Sequence, residues 1–209
     1  MSYQHDQNVG DSAAVAEGSE RRIQPRLALL LLRSAKLVGP SGEFLCIVRD
    51  VSETGVKLRM FHPILDDEDL ALEFTTGIRF GLEKVWEAGG EAGFRFIDPV
   101  DVSSFVNGTG PFPKRSVRLR LNHPTALSVA DRTATATILD LSREGARIEF
   151  SEHLAIAQKI RVKSDRLPAF EASVRWRRHP YYGLIFHQMM SMEELALRVY
   201  EIQSEDAAS

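Results

Sequence analysis

The most regular pattern in this chain is a series of short apolar segments separated by turn residues. Val56–Met60 alternates between apolar and charged side chains, as expected for a strand with one buried face. Glycine-containing turns, such as Gly39–Gly42 and Gly89–Gly90, interrupt the series. The other candidate strands are Leu30–Val38, Glu43–Val51, Leu70–Phe74, Ile78–Trp86 and Gly93–Ile97. Many short strands at close spacing predict a small antiparallel barrel.

The same pattern occurs a second time, and the two copies are related by a constant offset of 90 residues. The residue pairs that keep this offset are Asp50/Asp140, Ser52/Ser142, Gly55/Gly145, Trp86/Trp176, Gly93/Gly183 and Phe96/Phe186. A constant offset over several unlike residue types indicates a tandem duplication of one domain. Between the copies, Asn107–Pro113 has the glycine and proline content of a linker.

A helix is predicted after the second copy. Ser191 and Glu194 have the spacing of a capping box. An apolar stripe at helical spacing follows, formed by Met192, Leu195, Ala196, Val199 and Ile202. We expect this stripe to pack on its own barrel, the alternative being a partner. The first copy has only a short segment, Asp98–Val106, in the same place.

Composition defines the domain limits. Residues 1–19 are rich in Ser, Ala, Gly, Gln and acidic residues and show no hydrophobic periodicity, which predicts a disordered acidic tail. We predict domains at 20–106 and 113–205, joined by a linker at 107–112. A net charge of −3 argues against a general nucleic-acid coat, so any anion site must come from locally clustered arginines.

Three features predict a cytoplasmic protein. The longest apolar run, Leu27–Leu32, is shorter than a membrane span. No Lys or Arg precedes Arg21, so the chain begins without the basic-then-apolar order of a signal peptide. The single cysteine, Cys46, is predicted to be a buried thiol, which suits a reducing compartment.

Two motifs carry the candidate chemistry. Arg21, Arg22 and Arg26 place three guanidinium groups on one short segment stiffened by Pro25. The segment Asp50–Gly55 is a tight turn with a carboxylate, a hydroxyl and a glycine at fixed positions. Together the motifs indicate a site for a planar anion with several charges, because guanidinium groups bind phosphates through paired hydrogen bonds.

With these motifs and the Trp and Gly strands aligned, both copies resemble the PilZ domain family. The resemblance covers about Glu20–Asp98 and Pro113–Gln203, and its signature is Arg-x-x-x-Arg followed by Asp/Asn-x-Ser-x-x-Gly. It implies binding of the bacterial second messenger cyclic di-GMP. It also implies a mainly β fold: two tandem six-stranded antiparallel barrels, each followed by a helix, short in the first copy and long in the second.

The first copy matches the signature completely. The resemblance implies that its ligand-binding residues are Arg21, Arg22, Arg26, Asp50, Ser52 and Gly55. An arginine at the position of Arg21 tends, in this family, to accompany two intercalated ligand molecules. In this interpretation the arginines bind phosphate or guanine O6 and N7. Asp50 accepts hydrogen bonds from the guanine N1–H and N2–H₂ edge, and Gly55 allows a close backbone approach.

The second copy departs from the signature in its arginine motif. Lys114 stands at the first arginine position and Arg118 at the second, while Asp140, Ser142 and Gly145 are retained. Lysine cannot make the planar, two-pronged contact of arginine. We therefore expect ligand binding by the second copy to be weak or absent. In that case Asp140 and Ser142 serve a turn in which they bond their own backbone.

The leading hypothesis is a cyclic di-GMP receptor that relays a conformational change to an unidentified protein target. We expect no catalysis, metal or cofactor, because the sequence pairs no nucleophile with a base and shows no metal-ligand spacing. A nucleotide-independent adaptor or dimerisation module, forming a homo-oligomer, is the alternative. No DNA partner is expected, and a single-stranded nucleic-acid site is disfavoured by the acidic net charge and by the lack of an aromatic platform on a basic strand face. Trp86 and Trp176 are expected to be core residues rather than ligand-stacking ones.

Overall fold

The computed structural model describes residues 33–65, 67–103, 116–130 and 132–206. Within these residues the chain forms two closed six-stranded barrels, which confirms the predicted fold class. Barrel 1 consists of β1 (Arg33–Gly39), β2 (Gly42–Val51), β3 (Gly55–Arg59), β4 (Leu70–Glu73), β5 (Arg79–Ala88) and β6 (Glu91–Phe96). Barrel 2 consists of β7 (Leu119–Val129), β8 (Arg132–Ser142), β9 (Gly145–Glu149), β10 (Lys159–Lys163), β11 (Phe170–Arg178) and β12 (Tyr181–Phe186), and helix α1 (Met192–Asp206) follows it.

Both barrels have the same topology. The strand order in barrel 1 is β1-β2-β3-β6-β5-β4, closed by antiparallel pairing of β4 with β1. Barrel 2 repeats this order from β7 to β12. The strand registers keep the 90-residue offset, because Trp86 pairs with Gly93 and Trp176 pairs with Gly183. The duplication indicated by the sequence is therefore a duplication of the whole barrel.

Each barrel closes around its own apolar core. Side chains from alternate strand positions fill barrel 1, among them Leu37, Val48, Leu58 and Leu72, all almost completely buried. Cys46 belongs to this core, as predicted, and burial raises the pKa of its thiol well above the ordinary value.

Two β-bulges that occur in both barrels reverse the side-chain alternation just before the predicted site aspartates and the tryptophans. The register shifts between Val48 and Asp50 on β2, and between Lys84 and Trp86 on β5. The equivalent shifts occur on β8 and β11 of barrel 2. Because a bulge adds one residue to a strand, the residues that follow it point to the opposite face of the sheet.

Helix α1 begins at the predicted cap and contacts both barrels. The backbone N–H of Glu194 donates to the Ser191 hydroxyl at 3.0 Å. The apolar stripe of the helix is buried in the core of barrel 2, which confirms that it packs on its own barrel. On barrel 1, Leu45 of β2 points away from its own core and into that of barrel 2. The Tyr200 ring stacks on His62 with ring centroids 4.2 Å apart.

A buried polar network joins the two barrels beside this helix. Glu43 Oε2 accepts hydrogen bonds from the Lys36 ammonium at 3.0 Å and from the backbone N–H of Arg120 at 2.9 Å. The Gln203 amide accepts from the Glu43 backbone N–H at 2.8 Å and donates to the Arg120 carbonyl at 2.7 Å. Because its buried donors and acceptors are paired, this network fixes β2 against β7.

Some predicted segments lie outside the described residues. Of the short helix predicted within Asp98–Val106, residues 102 and 103 are helical, residues 98–101 are not, and residues 104–106 lie outside the described part. The acidic tail, the linker, the arginine segment 21–26 and Lys114 also lie outside. In the described part of the chain, no helix is both long and apolar enough to cross a membrane.

Candidate functional site

The turn between β2 and β3 borders a groove of about 520 Å³ on the outer face of barrel 1. Asp50, Ser52 and Gly55 form one wall of the groove, and Trp86 and Arg95 line it from β5 and β6. The structure therefore brings together the three predicted site residues that it describes in this barrel. A volume of this size is typical of a small-molecule site.

The turn itself is held by its own backbone. The Ser52 N–H donates to the Gly55 carbonyl at 2.8 Å, and the Ser52 hydroxyl lies 3.3 Å from the same oxygen. The Thr54 carbonyl accepts from the Phe96 N–H at 3.0 Å, which attaches the turn to the end of β6. A Cβ on Gly55 would lie 2.8 Å from the Phe94 carbonyl oxygen, so the close backbone approach predicted for this glycine is confirmed. Backbone hydrogen bonds thus hold this wall of the groove against the end of β6.

Asp50 is a carboxylate without a complete set of partners. The bulge that precedes it turns its side chain out of the barrel, so that Val51 rather than Asp50 enters the core. Its Oδ1 atom is nevertheless buried and has no hydrogen-bond partner among the described residues. Buried polar atoms in folded proteins are almost always paired. Oδ1 of Asp50 is therefore an acceptor whose hydrogen bond is not satisfied within the described part of the chain.

The cations beside Asp50 are held by other carboxylates. Lys57 is the strand partner of Asp50, but its ammonium binds Glu91 at 2.5 Å. This hydrogen bond lowers the pKa of Glu91. Arg95 lies 3.4 Å from Glu83. Because Lys57 is held by Glu91, Asp50 is left without a cationic partner in this wall.

The expectation that Trp86 and Trp176 are core residues is wrong. Trp86 is 43% exposed and Trp176 is 41% exposed. Each indole lies against a glycine of the neighbouring strand, Gly93 or Gly183. Only glycine allows this contact, since a Cβ at either position would collide with the ring. The physical reason is the bulge before each tryptophan, which turns a side chain that simple alternation would bury toward the outer face. Each barrel therefore presents an aromatic face beside its turn.

Barrel 2 has the same backbone but a different arrangement of charges. Asp140 Oδ1 accepts from Arg118 at 2.9 Å, and Oδ2 binds Arg147 at 2.8 Å. Its carboxylate is therefore neutralised from both sides. The prediction that Asp140 bonds its own turn is wrong, since the two arginines occupy its oxygens. The prediction holds for Ser142, whose hydroxyl donates to the Gly145 carbonyl at 3.0 Å.

Sequence reasoning missed Arg147. It is the strand partner of Asp140 across the tight turn, as Lys57 is the partner of Asp50. The register of the tight turn could have identified this residue, because a hairpin closed by Ser142 and Gly145 places Arg147 opposite Asp140. Tyr181 stands where barrel 1 has Glu91, so no carboxylate competes for Arg147 at that position.

Among the described residues, no group of three or more His, Cys, Asp or Glu side chains could hold a metal ion. The predicted site residues Arg21, Arg22, Arg26 and Lys114 lie outside the described part of the chain. The described site in barrel 1 therefore consists of the groove, the turn and the exposed tryptophan.

Comparison with protein families gives a match to the PilZ domain over residues 20–106 and again over 113–200. No curated protein sequence matches this chain. Solved structures with a similar fold include Borreliella burgdorferi PlzA in complex with c-di-GMP, at 11% identity, covering 84% of this chain and 92% of that one, with a TM-score of 0.35. Escherichia coli YcgR in complex with c-di-GMP matches at 14% identity, over 84% and 85% of the two chains, with a TM-score of 0.31. Bacillus subtilis MotI/DgrA, an inhibitor of motility, matches at 11% identity, over 86% and 99%, with a TM-score of 0.34.

Proposed function

This chain belongs to the PilZ domain family, with one domain in each barrel, and from that premise we propose that barrel 1 is a receptor for cyclic di-GMP. The observation that carries the proposal is that Asp50, in the wall of a groove of about 520 Å³, has a buried Oδ1 with no hydrogen-bond partner within the described ranges. A guanine edge supplies N–H donors, which this oxygen lacks. The exposed Trp86 ring offers a surface for base stacking in the same groove.

The arginine segment would supply the positive charge that the ligand requires. Cyclic di-GMP carries two phosphodiester anions, and guanidinium groups bind such anions through paired, charge-assisted hydrogen bonds. We assign this role to Arg22 and Arg26, and we assign to Ser52 and Gly55 the shape of the turn that borders the groove. Arg21 supports binding of an intercalated pair of ligand molecules rather than one.

Strand β2 provides a route from this site to barrel 2. Asp50 lies near its end, and Glu43 near its start is bonded to the backbone of β7 at Arg120. Between them, Leu45 lies in the core of barrel 2. A displacement of the strand on ligand binding would therefore act on both barrels. We infer that the resulting rearrangement presents a surface to a protein target.

The test is calorimetric titration of the full chain with cyclic di-GMP, fitted for stoichiometry as well as affinity. We expect about two ligands per chain. The variants Arg22→Ala and Arg26→Ala should each remove a charged contact worth about 2 kcal/mol, which lowers the affinity for cyclic di-GMP more than tenfold. Arg118→Ala in barrel 2 is the matched control and should leave the affinity unchanged. Unchanged affinity in both barrel 1 variants, or no heat with the wild-type chain, would contradict the proposal.

A nucleotide-independent adaptor is the second candidate, favoured for barrel 2 by the two arginines that occupy Asp140. In that case barrel 2 contributes a surface rather than a ligand site. Light scattering with and without cyclic di-GMP distinguishes the two functions. A dimer that forms equally in both conditions, and that is lost when helix α1 is disrupted, would support the adaptor.

A further inference from the structure

The outer faces of the two barrels carry opposite charge at equivalent positions. Residues 116–187 contain 12 Lys and Arg against 7 Asp and Glu, whereas the equivalent residues 26–97 contain 9 against 11. The second barrel is therefore basic although the net charge of the whole chain is acidic. This removes one of the two grounds on which a nucleic-acid partner was disfavoured from the sequence.

The reversal is concentrated on β10 and β11. Seven positions of barrel 2 are Lys159, Arg161, Lys163, Ser173, Arg175, Arg177 and Arg178, where barrel 1 has Asp69, Ala71, Glu73, Glu83, Val85, Glu87 and Ala88. The formal charge of this set changes from −4 to +6. Because both sets stand on the same barrel topology, the fold does not require these cations.

Most of these cations have no carboxylate partner. Arg161 lies 3.5 Å from Glu171, an exposed pair. Within the described part of the chain, Lys159, Lys163, Arg175, Arg177 and Arg178 form no ion pair, and all five are exposed. Along β10 the three basic side chains alternate with buried ones, so they form a row with a spacing of about 7 Å. Two of the three, Lys159 and Lys163, form no ion pair among the described residues, and a row of cations at this spacing fits a chain of regularly spaced anions.

An aromatic platform lies on β11 beyond the Lys159 end of this row, since Lys159 pairs with Ser173, three residues before Trp176. The Trp176 indole rests on Gly183, is 41% exposed, and belongs to the same strand as Arg175 and Arg177. Tyr181 begins the neighbouring strand β12, is 40% exposed, and pairs with Arg178 at the end of β11. The second ground for disfavouring nucleic acid, the lack of an aromatic platform on a basic strand face, therefore does not hold for barrel 2.

We propose that the β10–β11 face of barrel 2 binds single-stranded nucleic acid. The backbone phosphates lie along Lys159, Arg161 and Lys163, and an unpaired base stacks on Trp176. Stacking on one flat ring tolerates any base, so binding is independent of sequence. An indole lying flat on a sheet favours a stacked base over a lipid bilayer, into which apolar groups must protrude. The site is separate from the groove of barrel 1 and does not require its ligand.

The first experiment measures anisotropy of a fluorescein-labelled oligothymidylate of about 15 nucleotides with the full chain at low salt. The variant Lys159→Asp/Arg161→Ala/Lys163→Glu gives β10 the residues that barrel 1 has at these positions. We expect it to weaken binding about tenfold or more, and to reduce the slope of log K against log salt concentration by about 2, since each phosphate contact contributes about 0.7. Circular dichroism checks that the variant is folded.

Variants of the tryptophan separate stacking from simple charge attraction. Trp176→Ala should weaken binding about tenfold, and Trp176→Phe should recover most of the loss. Trp86→Ala, the equivalent change in barrel 1, is the matched control and should have no effect on the oligonucleotide.

Three results would overturn the proposal. The first is no binding of the oligonucleotide by the wild-type chain. The second is loss of binding in the β10 variant but not in Trp176→Ala, which would indicate a surface for polyanions in general. The third is binding to vesicles containing phosphatidylglycerol instead of the oligonucleotide, which would indicate an anionic membrane.

Discussion

The two barrels share a backbone and differ in what their equivalent carboxylates contact. Both have the tight turn, the glycine under a carbonyl and the bulge that turns the aspartate outward. Yet a buried oxygen of Asp50 has no hydrogen-bond partner among the described residues, whereas Asp140 is bound by Arg118 and Arg147. The difference follows from a few outward-facing residues, among them Glu91 in one barrel and Tyr181 in the other. A duplicated fold can therefore keep its site geometry while its charges assign the two copies different roles.

The largest expected effect comes from removing the two aspartates in turn. Asp50→Ala should reduce cyclic di-GMP affinity by about 3 kcal/mol, or more than 100-fold, because charge-assisted hydrogen bonds to the ligand are lost. Asp140→Ala should leave the affinity unchanged, because its oxygens are already occupied. Calorimetric titration of both variants checks the comparison. Equal losses would mean that the barrels are functionally equivalent.

The next effect is on stability and concerns an outward-facing residue near the start of the second strand of each barrel, Leu45 in barrel 1 and Thr135 in barrel 2. Leu45 is 1% exposed and packs in the core of barrel 2, whereas its equivalent Thr135 is exposed. Leu45→Thr should lower the free energy of unfolding by about 2 kcal/mol, because a buried apolar group is replaced by a smaller polar one. Thr135→Leu should change it by less than about 0.5 kcal/mol. Urea denaturation of both variants measures the difference.

A smaller effect is expected from giving barrel 1 the charge arrangement of barrel 2. The double variant Lys57→Arg/Glu91→Tyr gives barrel 1 the residue types that barrel 2 has at positions 147 and 181, and position 57 is the strand partner of Asp50. The new arginine should bind Asp50 and compete with the ligand, which weakens cyclic di-GMP binding about tenfold. The single variant Lys57→Arg, which keeps Glu91 as the competing carboxylate, is the control. Undiminished affinity in the double variant would show that an ion pair between the aspartate and an arginine is not what prevents barrel 2 from binding the ligand.

The smallest effect is a pH dependence of stability that comes from barrel 1. Burial of His62 lowers the pKa of its imidazole, although a hydrogen bond to the Pro63 carbonyl and the nearby Glu87 act in the opposite direction. The unfolded chain therefore binds a proton more readily than the folded one, so stability falls as the pH decreases below about 6.5. Barrel 2 has Glu152 at this position. Thermal unfolding at pH 8 and pH 5.5 should show a drop that is smaller in His62→Gln.

Much of the fold could be predicted from the sequence because alternation and turns are local. The pattern at Val56–Met60 and the repeated turns predict the strands, and the constant offset predicts the second barrel. The bulges before Asp50 and Trp86 could not be predicted, because an extra residue in a strand leaves no distinctive composition. The apolar strands around both tryptophans therefore predict core positions that the bulges prevent.

The candidate site was predictable in its motif but not in its partners. The spacing of Asp50, Ser52 and Gly55 identifies the turn, whereas the state of each carboxylate depends on residues from other strands. Lys57 binds Glu91 of β6, a contact set by strand register. The contact of Leu45 with barrel 2 depends on how the two barrels meet, which no local pattern encodes.

Leu45 has a consequence for how the chain folds. It lies on a strand of barrel 1, but it completes the core of barrel 2 together with helix α1. The second core is therefore incomplete until β2 has formed, and the two halves of the duplication are no longer independent folding units. We expect a single calorimetric transition whose van't Hoff enthalpy equals the measured enthalpy for the whole chain. Separating the two barrels would then divide one cooperative folding unit and leave the core of barrel 2 without Leu45.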